Sequence, residues 1–154
     1  MVACTEAQEP TSFIPEALNA QMTSTDGKEL AFKEILKQYE GKPLVIEIWA
    51  SWCSDCVKNM PKVHALQEQF PDVQYLFLSY DRDLDAWKRG IEKHNLQGGH
   101  YHADKNMKES QFGKAIALDW IPRYMVVDST GKIVLHKAVE ADDEKLITTL
   151  KNLK

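Results

Sequence analysis

The apolar positions of this chain change their spacing near residue 50. Residues 44–49 are apolar on both faces of an extended chain, apart from one glutamate, which predicts a strand covered on both sides. From residue 53 to residue 70, apolar side chains recur every three or four positions, which predicts a helix. A second apolar run at residues 73–80 predicts another strand. The pattern therefore predicts a strand-to-helix junction between residues 49 and 53.

Shorter segments with the same two kinds of spacing lie on either side of this junction. Further helices are predicted at residues 30–39, 83–94, 105–116 and 144–153, and further strands at 100–103, 122–128 and 133–136. Because strands alternate with helices and a hairpin closes the chain, we expect an α/β fold in three layers. Helices would flank a central mixed sheet that is mostly parallel. Residues 1–24 are predicted to be a tail and lead-in, and residues 25–154 the domain.

The composition narrows the class of protein. The chain has 154 residues, of which 44% are hydrophobic and 27% charged, as in an ordinary globular domain. Its net charge of −4 argues against nucleic acid as a partner. No apolar run approaches the ~18 residues that a membrane-spanning helix needs. Three cysteines are too few for a disulfide scaffold, so the closely spaced pair near residue 55 needs another explanation.

Cys53 and Cys56 are separated by two residues at the predicted start of a helix. The first helical N–H groups lack partners and the helix dipole is positive there, so a thiolate is stabilised and its pKa falls. This arrangement favours a disulfide that opens and closes, with the first cysteine attacking and the second resolving the mixed disulfide. A zinc site would need more ligands nearby, and a c-type haem site would need histidine where Val57 stands. We therefore expect no metal and no bound cofactor.

An acidic stretch at residues 81–85 has the spacing of a calcium-binding EF-hand loop. Ala86 stands where that loop requires glycine, which argues against a calcium site. We expect Asp81 or Asp83 to cap the following helix instead.

Glu47 lies inside the apolar strand, six residues before Cys53. A buried carboxylate is costly unless it is paired or takes part in the chemistry, and burial raises its pKa. We therefore interpret Glu47 as the proton acceptor for Cys56 during exchange. The alternative is a glutamate at the polar end of the strand, bonded to a lysine.

Two prolines occupy positions with structural consequences. Pro61 lies inside the predicted helix, which it kinks unless the helix begins later than predicted. Pro122 stands at the start of a predicted strand, where proline is tolerated. If the Ile121–Pro122 bond is cis, the backbone of Ile121 could face the cysteines and pair with an incoming extended peptide.

The segment VIEIWASWCSDCVKNMP and, far downstream, WIPRYMVVDSTGKIV resemble the thioredoxin superfamily, most of all its TlpA-type extracytoplasmic oxidoreductases. The resemblance covers roughly residues 25–154. It implies a thioredoxin-like fold, with Cys53 as the nucleophile and Cys56 as the resolving thiol. It further implies that Glu47 takes the place of the buried acid of thioredoxins and that the peptide bond before Pro122 is cis.

Two residues depart from the thioredoxin pattern. Asp55, between the cysteines, puts a negative charge near both sulfurs, which opposes thiolate formation. A strongly oxidising site depends on a stabilised thiolate, so we expect a reductase or isomerase instead. Asn59 replaces an acidic residue found shortly after the pair in some relatives, which leaves proton transfer to Glu47.

We therefore predict a thiol–disulfide oxidoreductase that exchanges its disulfide with protein thiols and disulfides, more as a reductase, and acts as a monomer. Another redox protein would recharge it. Its substrate-binding residues are predicted to be Trp52, Ile121 and Pro122. One alternative is a thioredoxin-fold binding module with little turnover. Another is a peroxiredoxin-like peroxidase, which would need a threonine that residues 50–52 lack.

The first residues of the chain bear on its location. No charged or apolar leader precedes Cys4 in this sequence. Small residues before Cys4 and a polar tether after it nevertheless resemble the end of a bacterial lipoprotein signal. We therefore expect lipidation of Cys4 in a bacterial protein that is periplasmic or anchored to the membrane facing the periplasm. The alternatives are an exposed cysteine on a frayed terminus and a cytoplasmic location.

Overall fold

Strands and helices alternate along the chain, as the sequence predicts. The computed structural model describes residues 9–153. Within that range the strands are β1 (Gln21–Ser24), β2 (Glu29–Ala31), β3 (Leu44–Trp49), β4 (Gln74–Ser79), β5 (Gly99–His102), β6 (Arg123–Val127) and β7 (Ile133–Ala138). The helices are α1 (Pro15–Leu18), α2 (Phe32–Lys37), α3 (Ser54–Gln69), α4 (Leu84–Lys93), α5 (Gln111–Ala115) and α6 (Glu144–Asn152). None of these helices is both long enough and apolar enough to cross a membrane.

The strands form one mixed sheet in the order β2-β1-β5-β4-β3-β6-β7, which confirms the expected α/β fold. The expectation that the sheet is mostly parallel is wrong. Only β3 with β4 and β4 with β5 pair in parallel, because among neighbouring strands of the sheet only these are consecutive in the chain and joined by a helix. The other four neighbouring pairs are antiparallel, and two of them are made by the hairpins at the two edges of the sheet.

β3 lies at the centre of this sheet, between β4 and β6. All six of its residues are buried, including Glu47, whose side chain is 2% exposed. A strand with neighbours on both edges and covered faces needs apolar residues at successive positions, and that is the pattern found from Leu44 to Trp49. The interpretation of Glu47 as the polar end of a strand is therefore wrong.

The packed part of the chain begins before Thr25. Ala17 in α1 and Met22 in β1 are both buried in the hydrophobic core. β1 is an inner strand of the sheet, paired with β2 on one side and with β5 on the other. Phe13 packs edge-on against Phe32, with ring centroids 5.0 Å apart. These contacts argue for placing the start of the domain before residue 25 rather than treating residues 1–24 as a lead-in.

One helix is shorter than predicted. α5 begins at Gln111 instead of residue 105, because the side chain of Ser110 caps it by accepting a hydrogen bond from the N–H of Gly113 at 2.9 Å. A Cβ atom at residue 113 would collide with the carbonyl oxygen of Met107, so the preceding turn packs closely against this glycine. The apolar spacing alone did not reveal the cap.

Candidate active site at the cysteine pair

The two cysteines lie where the sequence predicts, between the end of β3 and the first turn of α3. Cys53 is the N-cap residue of α3, and its Sγ accepts a hydrogen bond from the backbone N–H of Cys56 at 3.3 Å. Both thiols are free, and both side chains are buried, Cys56 completely. The helix therefore directs its unpaired N–H groups at the sulfur of Cys53.

The surroundings of the two thiols give them very different pKa values. A hydrogen bond from the Cys56 thiol, aided by backbone N–H groups of the helix, lowers the pKa of Cys53 to about 7. Burial, together with the hydrogen bond to Cys53, raises the pKa of Cys56 far above that of an ordinary thiol. The charge of Asp55 does oppose the Cys53 thiolate, as expected, but the hydrogen bonds outweigh it. Cys53 is therefore the more acidic of the two thiols, and Cys56 the one that holds its proton near neutral pH.

Glu47 has a single protein partner. The hydroxyl of Tyr124, its cross-strand neighbour in β6, donates a hydrogen bond to Oε1. Oε2 is buried and has no partner among residues 9–153. Burial raises the pKa of Glu47 to about 8, although the Tyr124 bond lowers it in part. The lysine partner considered in the alternative interpretation is wrong, since the partner is a tyrosine.

The Ile121–Pro122 peptide bond is cis, as the resemblance implied. The Cys53 thiol faces the carbonyl oxygen of Ile121 at 3.6 Å. Because β6 starts at Arg123 and pairs with β3, the sheet itself brings this bond to the cysteine, although the two are 68 residues apart in the chain.

The loop that leads from β3 to Cys53 is fastened to the end of β4. Asp81 accepts hydrogen bonds from the backbone N–H of Ser51, at 2.9 Å, and from its hydroxyl. The indole N–H of Trp52 donates to the carbonyl oxygen of Tyr80 at 3.2 Å. The guanidinium of Arg82 lies over the Trp52 ring, 5.1 Å from its centroid. Trp52 is therefore held with 49% of its side chain exposed, beside Cys53.

This role of Asp81 was not predicted. A helix cap was expected at Asp81 or Asp83, and Asp83 caps α4 by accepting a hydrogen bond from the N–H of Asp85. A signal was nevertheless present, because Ser51 and Asp81 each follow one of two parallel strands, and the carboxyl ends of such strands meet at one edge of the sheet.

Two further residues of α3 prove to be structural. The side chain of Asn59 is buried, donates to the carbonyl oxygen of Asp55 at 3.1 Å and accepts from the N–H of Ala141 at 3.0 Å. It therefore ties the helix to the loop before α6. The helix begins at Ser54 and continues through Pro61, so the interpretation that it begins late is wrong.

The remaining predictions concern Cys4 and metal binding. Cys4 lies outside the described residues, so its lipidation stays a prediction. Among residues 9–153, no three His, Cys, Asp or Glu side chains are grouped so that they could hold a metal ion.

Comparison with known proteins assigns the chain to a family. The model of the Redoxin family matches residues 11–153. This chain belongs to the Redoxin family. Among curated Redoxin-like relatives, the thiol-disulfide oxidoreductase ResA of Bacillus thuringiensis subsp. konkukian is 26% identical over 140 residues, which cover 90% of this chain and 76% of the relative.

Solved structures share the fold of this Redoxin member. A thiol-disulfide oxidoreductase from Bacteroides fragilis superposes with a TM-score of 0.74 at 21% identity, covering 95% of this chain and all of the other. A secreted disulfide oxidoreductase of Mycobacterium tuberculosis superposes with a TM-score of 0.67 at 18% identity, covering 91% of this chain and all of the other. Fold, cysteine pair and curated relatives together make this protein a thiol–disulfide oxidoreductase of the thioredoxin superfamily, similar to the TlpA type.

Proposed function

We propose that this oxidoreductase reduces disulfides in proteins, with Cys53 as the nucleophile, Cys56 as the resolving thiol and Glu47 as the proton acceptor. One observation carries the proposal. A thiol of lowered pKa at a helix N-terminus lies beside a buried thiol of raised pKa, with a buried carboxyl on the adjacent strand. Neighbouring groups whose pKa values are shifted in opposite directions in this way are typical of catalytic sites.

The reaction proceeds in two exchanges. The Cys53 thiolate attacks one sulfur of the substrate disulfide, a Cys53–substrate disulfide forms, and the other substrate sulfur leaves as a thiolate. Cys56 then attacks the Cys53 sulfur, the enzyme disulfide forms, and the second substrate sulfur leaves. Two electrons pass from the enzyme dithiol to the substrate. Another redox protein must then reduce the Cys53–Cys56 disulfide.

The second exchange needs a base, because the pKa of Cys56 is far above neutrality. Glu47 is suited to this task, since the charge of Glu47 is itself one of the causes that raise the pKa of Cys56 and the two groups are therefore close. With its own pKa raised to about 8 by burial, Glu47 accepts and returns a proton near physiological pH. Its unpartnered Oε2 leaves an oxygen to receive that proton.

The reducing direction is supported by the moderate acidity of Cys53. Its pKa of about 7 is close to the value of about 7 found in thioredoxin, whereas strongly oxidising relatives reach about 3.5. A weakly stabilised thiolate favours giving electrons away, because the reduced form of the pair is then less stable.

Substrate binding is proposed at Trp52, Ile121 and Pro122. The exposed Trp52 directly precedes Cys53, the carbonyl oxygen of Ile121 lies 3.6 Å from the Cys53 sulfur, and both residues line the groove that contains Cys53. An extended substrate segment that pairs with the backbone before Pro122 would bring its own disulfide to Cys53.

We place this reaction outside the cytoplasm of a bacterium, with Cys4 as a lipid anchor. The small residues before Cys4 support the anchor, and one structural relative is described as secreted. Mass spectrometry of the product of the native gene tests this, since a Cys4 without a diacylglyceryl group would exclude the anchor. Cell fractionation tests the compartment separately from the anchor.

The reduction potential of the Cys53–Cys56 couple tests the direction. It is measured in defined thiol buffers by following tryptophan fluorescence, and each ~30 mV corresponds to about 1.4 kcal/mol. We expect a value near or below about −250 mV, and a value near about −120 mV would make the protein an oxidant.

Single substitutions test the exchange mechanism itself. Cys53→Ser should abolish turnover, while Cys56→Ser should accumulate mixed disulfides with substrate, because the resolving thiol is missing. If Cys53→Ser left the function intact, the protein would be a binding module instead.

A further inference from the structure

Four tryptophans lie in the described part of the chain, and they divide into two kinds. Trp49 and Trp87 are completely buried in the core. Trp52 and Trp120 are exposed by 49% and 54%, and both line one groove of about 370 Å³ that contains Cys53. Tryptophan is frequent where proteins bind partners, and two half-exposed tryptophans that line the same groove form an apolar surface beside Cys53.

The lining of the groove is mainly apolar. Met107 and Ile121 line it together with the two tryptophans, and two of its charged residues, Asp55 and Lys108, carry opposite charges. The remaining charged residue, Asp119, forms salt bridges with Arg123 and Lys137. The groove therefore has no excess charge that would attract a charged substrate side chain.

The loop that carries Trp120 is fixed by a buried cation. The guanidinium of Arg123, which is 1% exposed, donates to the carbonyl oxygens of Ile116 at 3.3 Å and Ala117 at 3.1 Å. It also donates to Asp119 at 3.1 Å. From β7, Lys137 donates to both oxygens of Asp119, at 3.0 and 2.8 Å.

We call Arg123, Asp119 and Lys137 the loop clasp. Charge-assisted hydrogen bonds of this kind are stronger than neutral ones, and one partner is fully buried. The clasp fastens residues 116–119 to β6 and β7, and Trp120 follows directly. Because Ile121 contacts Cys53 through its carbonyl oxygen, the loop has little freedom on either side of Trp120.

We propose that Trp120 is a specificity-determining residue, which together with Trp52 selects protein disulfides whose cysteine is next to a large apolar or aromatic side chain. The loop clasp holds Trp120 in position for this contact. The inference rests on the proposed exchange at Cys53 and adds the class of substrate to it. Aromatic side chains gain from offset stacking in addition to burial, so the selection should favour aromatic neighbours most.

Two cysteine-containing peptides test the proposal, and in each the cysteine forms a mixed disulfide with a small thiol. The peptides are identical except for the residue next to the cysteine, which is tryptophan in one and serine in the other. Hydroxyethyl disulfide serves as a third substrate without side chains. For each enzyme, kcat/KM for a peptide is divided by kcat/KM for hydroxyethyl disulfide, so the ratio reports selection and not thiol reactivity. We expect the wild type to favour the tryptophan peptide about fivefold.

Trp120→Ala should bring this preference close to one, whereas Trp120→Phe should keep most of it. Leu84→Ala is the matched control, since Leu84 is a similarly exposed apolar residue of α4, at 44%, that does not line the groove. It should leave the preference unchanged. If the wild type favours neither peptide, or if Trp120→Ala keeps the preference, the inference is wrong while the proposed function stands.

The loop clasp is tested at Asp119, whose own side chain is 63% exposed. Asp119→Ala should reduce the preference about twofold, mainly through KM, and Asp119→Glu should restore it. If the ratio of the KM values for the two peptides were the same in Asp119→Ala as in the wild type, a positioning role would be contradicted. A wild-type enzyme that reduces none of the three disulfides would instead refute the proposed function, and the inference with it.

Discussion

Two buried carboxyl groups lie on neighbouring strands of this sheet, and they are bonded very differently. Asp81, after the end of β4, is 1% exposed, and both of its oxygens accept hydrogen bonds, from Ser51 and from the hydroxyl of Ser79 at 2.6 Å. Glu47, in β3, is 2% exposed and accepts one bond, from Tyr124, while its other oxygen is unpartnered among residues 9–153.

The difference separates a structural carboxylate from one suited to proton transfer. Several donors to a buried carboxylate compensate for its lost hydration and hold the surrounding loops together. Glu47 has one such donor, and burial raises its pKa to about 8. Burial alone therefore does not distinguish the two acids, whereas the number of hydrogen-bond donors does.

The largest effect is expected at Glu47. Glu47→Gln keeps the size of the side chain and an oxygen for the Tyr124 bond, but it cannot accept a proton. The attack of Cys56 should slow by about 100-fold, since general-base catalysis contributes factors of this order. Stopped-flow tryptophan fluorescence with excess substrate measures this step, and Glu68→Gln, on the exposed face of α3, is the control. An unchanged rate would remove Glu47 from the mechanism.

A smaller effect, on folding and not on proton transfer, is expected at Asp81. Asparagine has only one accepting oxygen, so Asp81→Asn leaves at least one buried donor without its acceptor. We expect the free energy of unfolding to fall by about 2 kcal/mol. Urea denaturation measures it, with the exposed Asp72→Asn as a control. If Asp81→Asn slowed the attack of Cys56 as much as Glu47→Gln does, the distinction between the two acids would be lost.

The pH dependence of stability offers a third test. The pKa of an ordinary glutamate is 4.5, whereas that of Glu47 is about 8 in the folded protein, so the folded state binds this proton more tightly than the unfolded state does. The stability contributed by this proton is complete below about pH 4.5 and is lost as the pH rises to about 8. The slope should reach about 1.4 kcal/mol per pH unit in between. Denaturation at several pH values gives the free energy of unfolding as a function of pH. This dependence should be flatter for Glu47→Gln than for the wild type, and the same dependence in both proteins would contradict the raised pKa.

The smallest effect is expected at Tyr124. Its hydrogen bond lowers the pKa of Glu47, so Tyr124→Phe should raise that pKa further. The pH profile of the Cys56 step should move by about one unit towards alkaline pH. The pH dependence of the Cys53 thiolate absorbance should stay unchanged. A shift of this pH dependence instead would show that Tyr124 acts through Cys53.

Much of the candidate site was predictable because it is local in sequence. The apolar run from Leu44 to Trp49 and the helical spacing after Cys53 both depend on neighbouring residues, and the structure places the strand, the helix and the cysteine pair accordingly. The cis bond at Pro122 followed from the resemblance of two short segments. The thioredoxin superfamily and its thiol–disulfide chemistry followed from the same segments.

The errors arose where distant segments meet. The pairing of β3 with β6 and of β1 with β5 makes the sheet mainly antiparallel, and strand order leaves little trace in the pattern of one strand. Residues 15–24 looked like a lead-in because they are few and mixed in polarity, although β1 is an inner strand. Short strands bury only a few side chains, so their apolar signal is weak.

The sequence by itself determined that a cysteine pair opens a helix after a buried strand, because backbone periodicity and helix-end electrostatics act over a few residues. Only the tertiary structure decided which groups surround that pair. Tyr124 reaches Glu47 across 77 residues, and Ile121 reaches Cys53 across 68. Such contacts depend on the order and direction of strands, and these contacts set the number of hydrogen-bond donors on each buried acid.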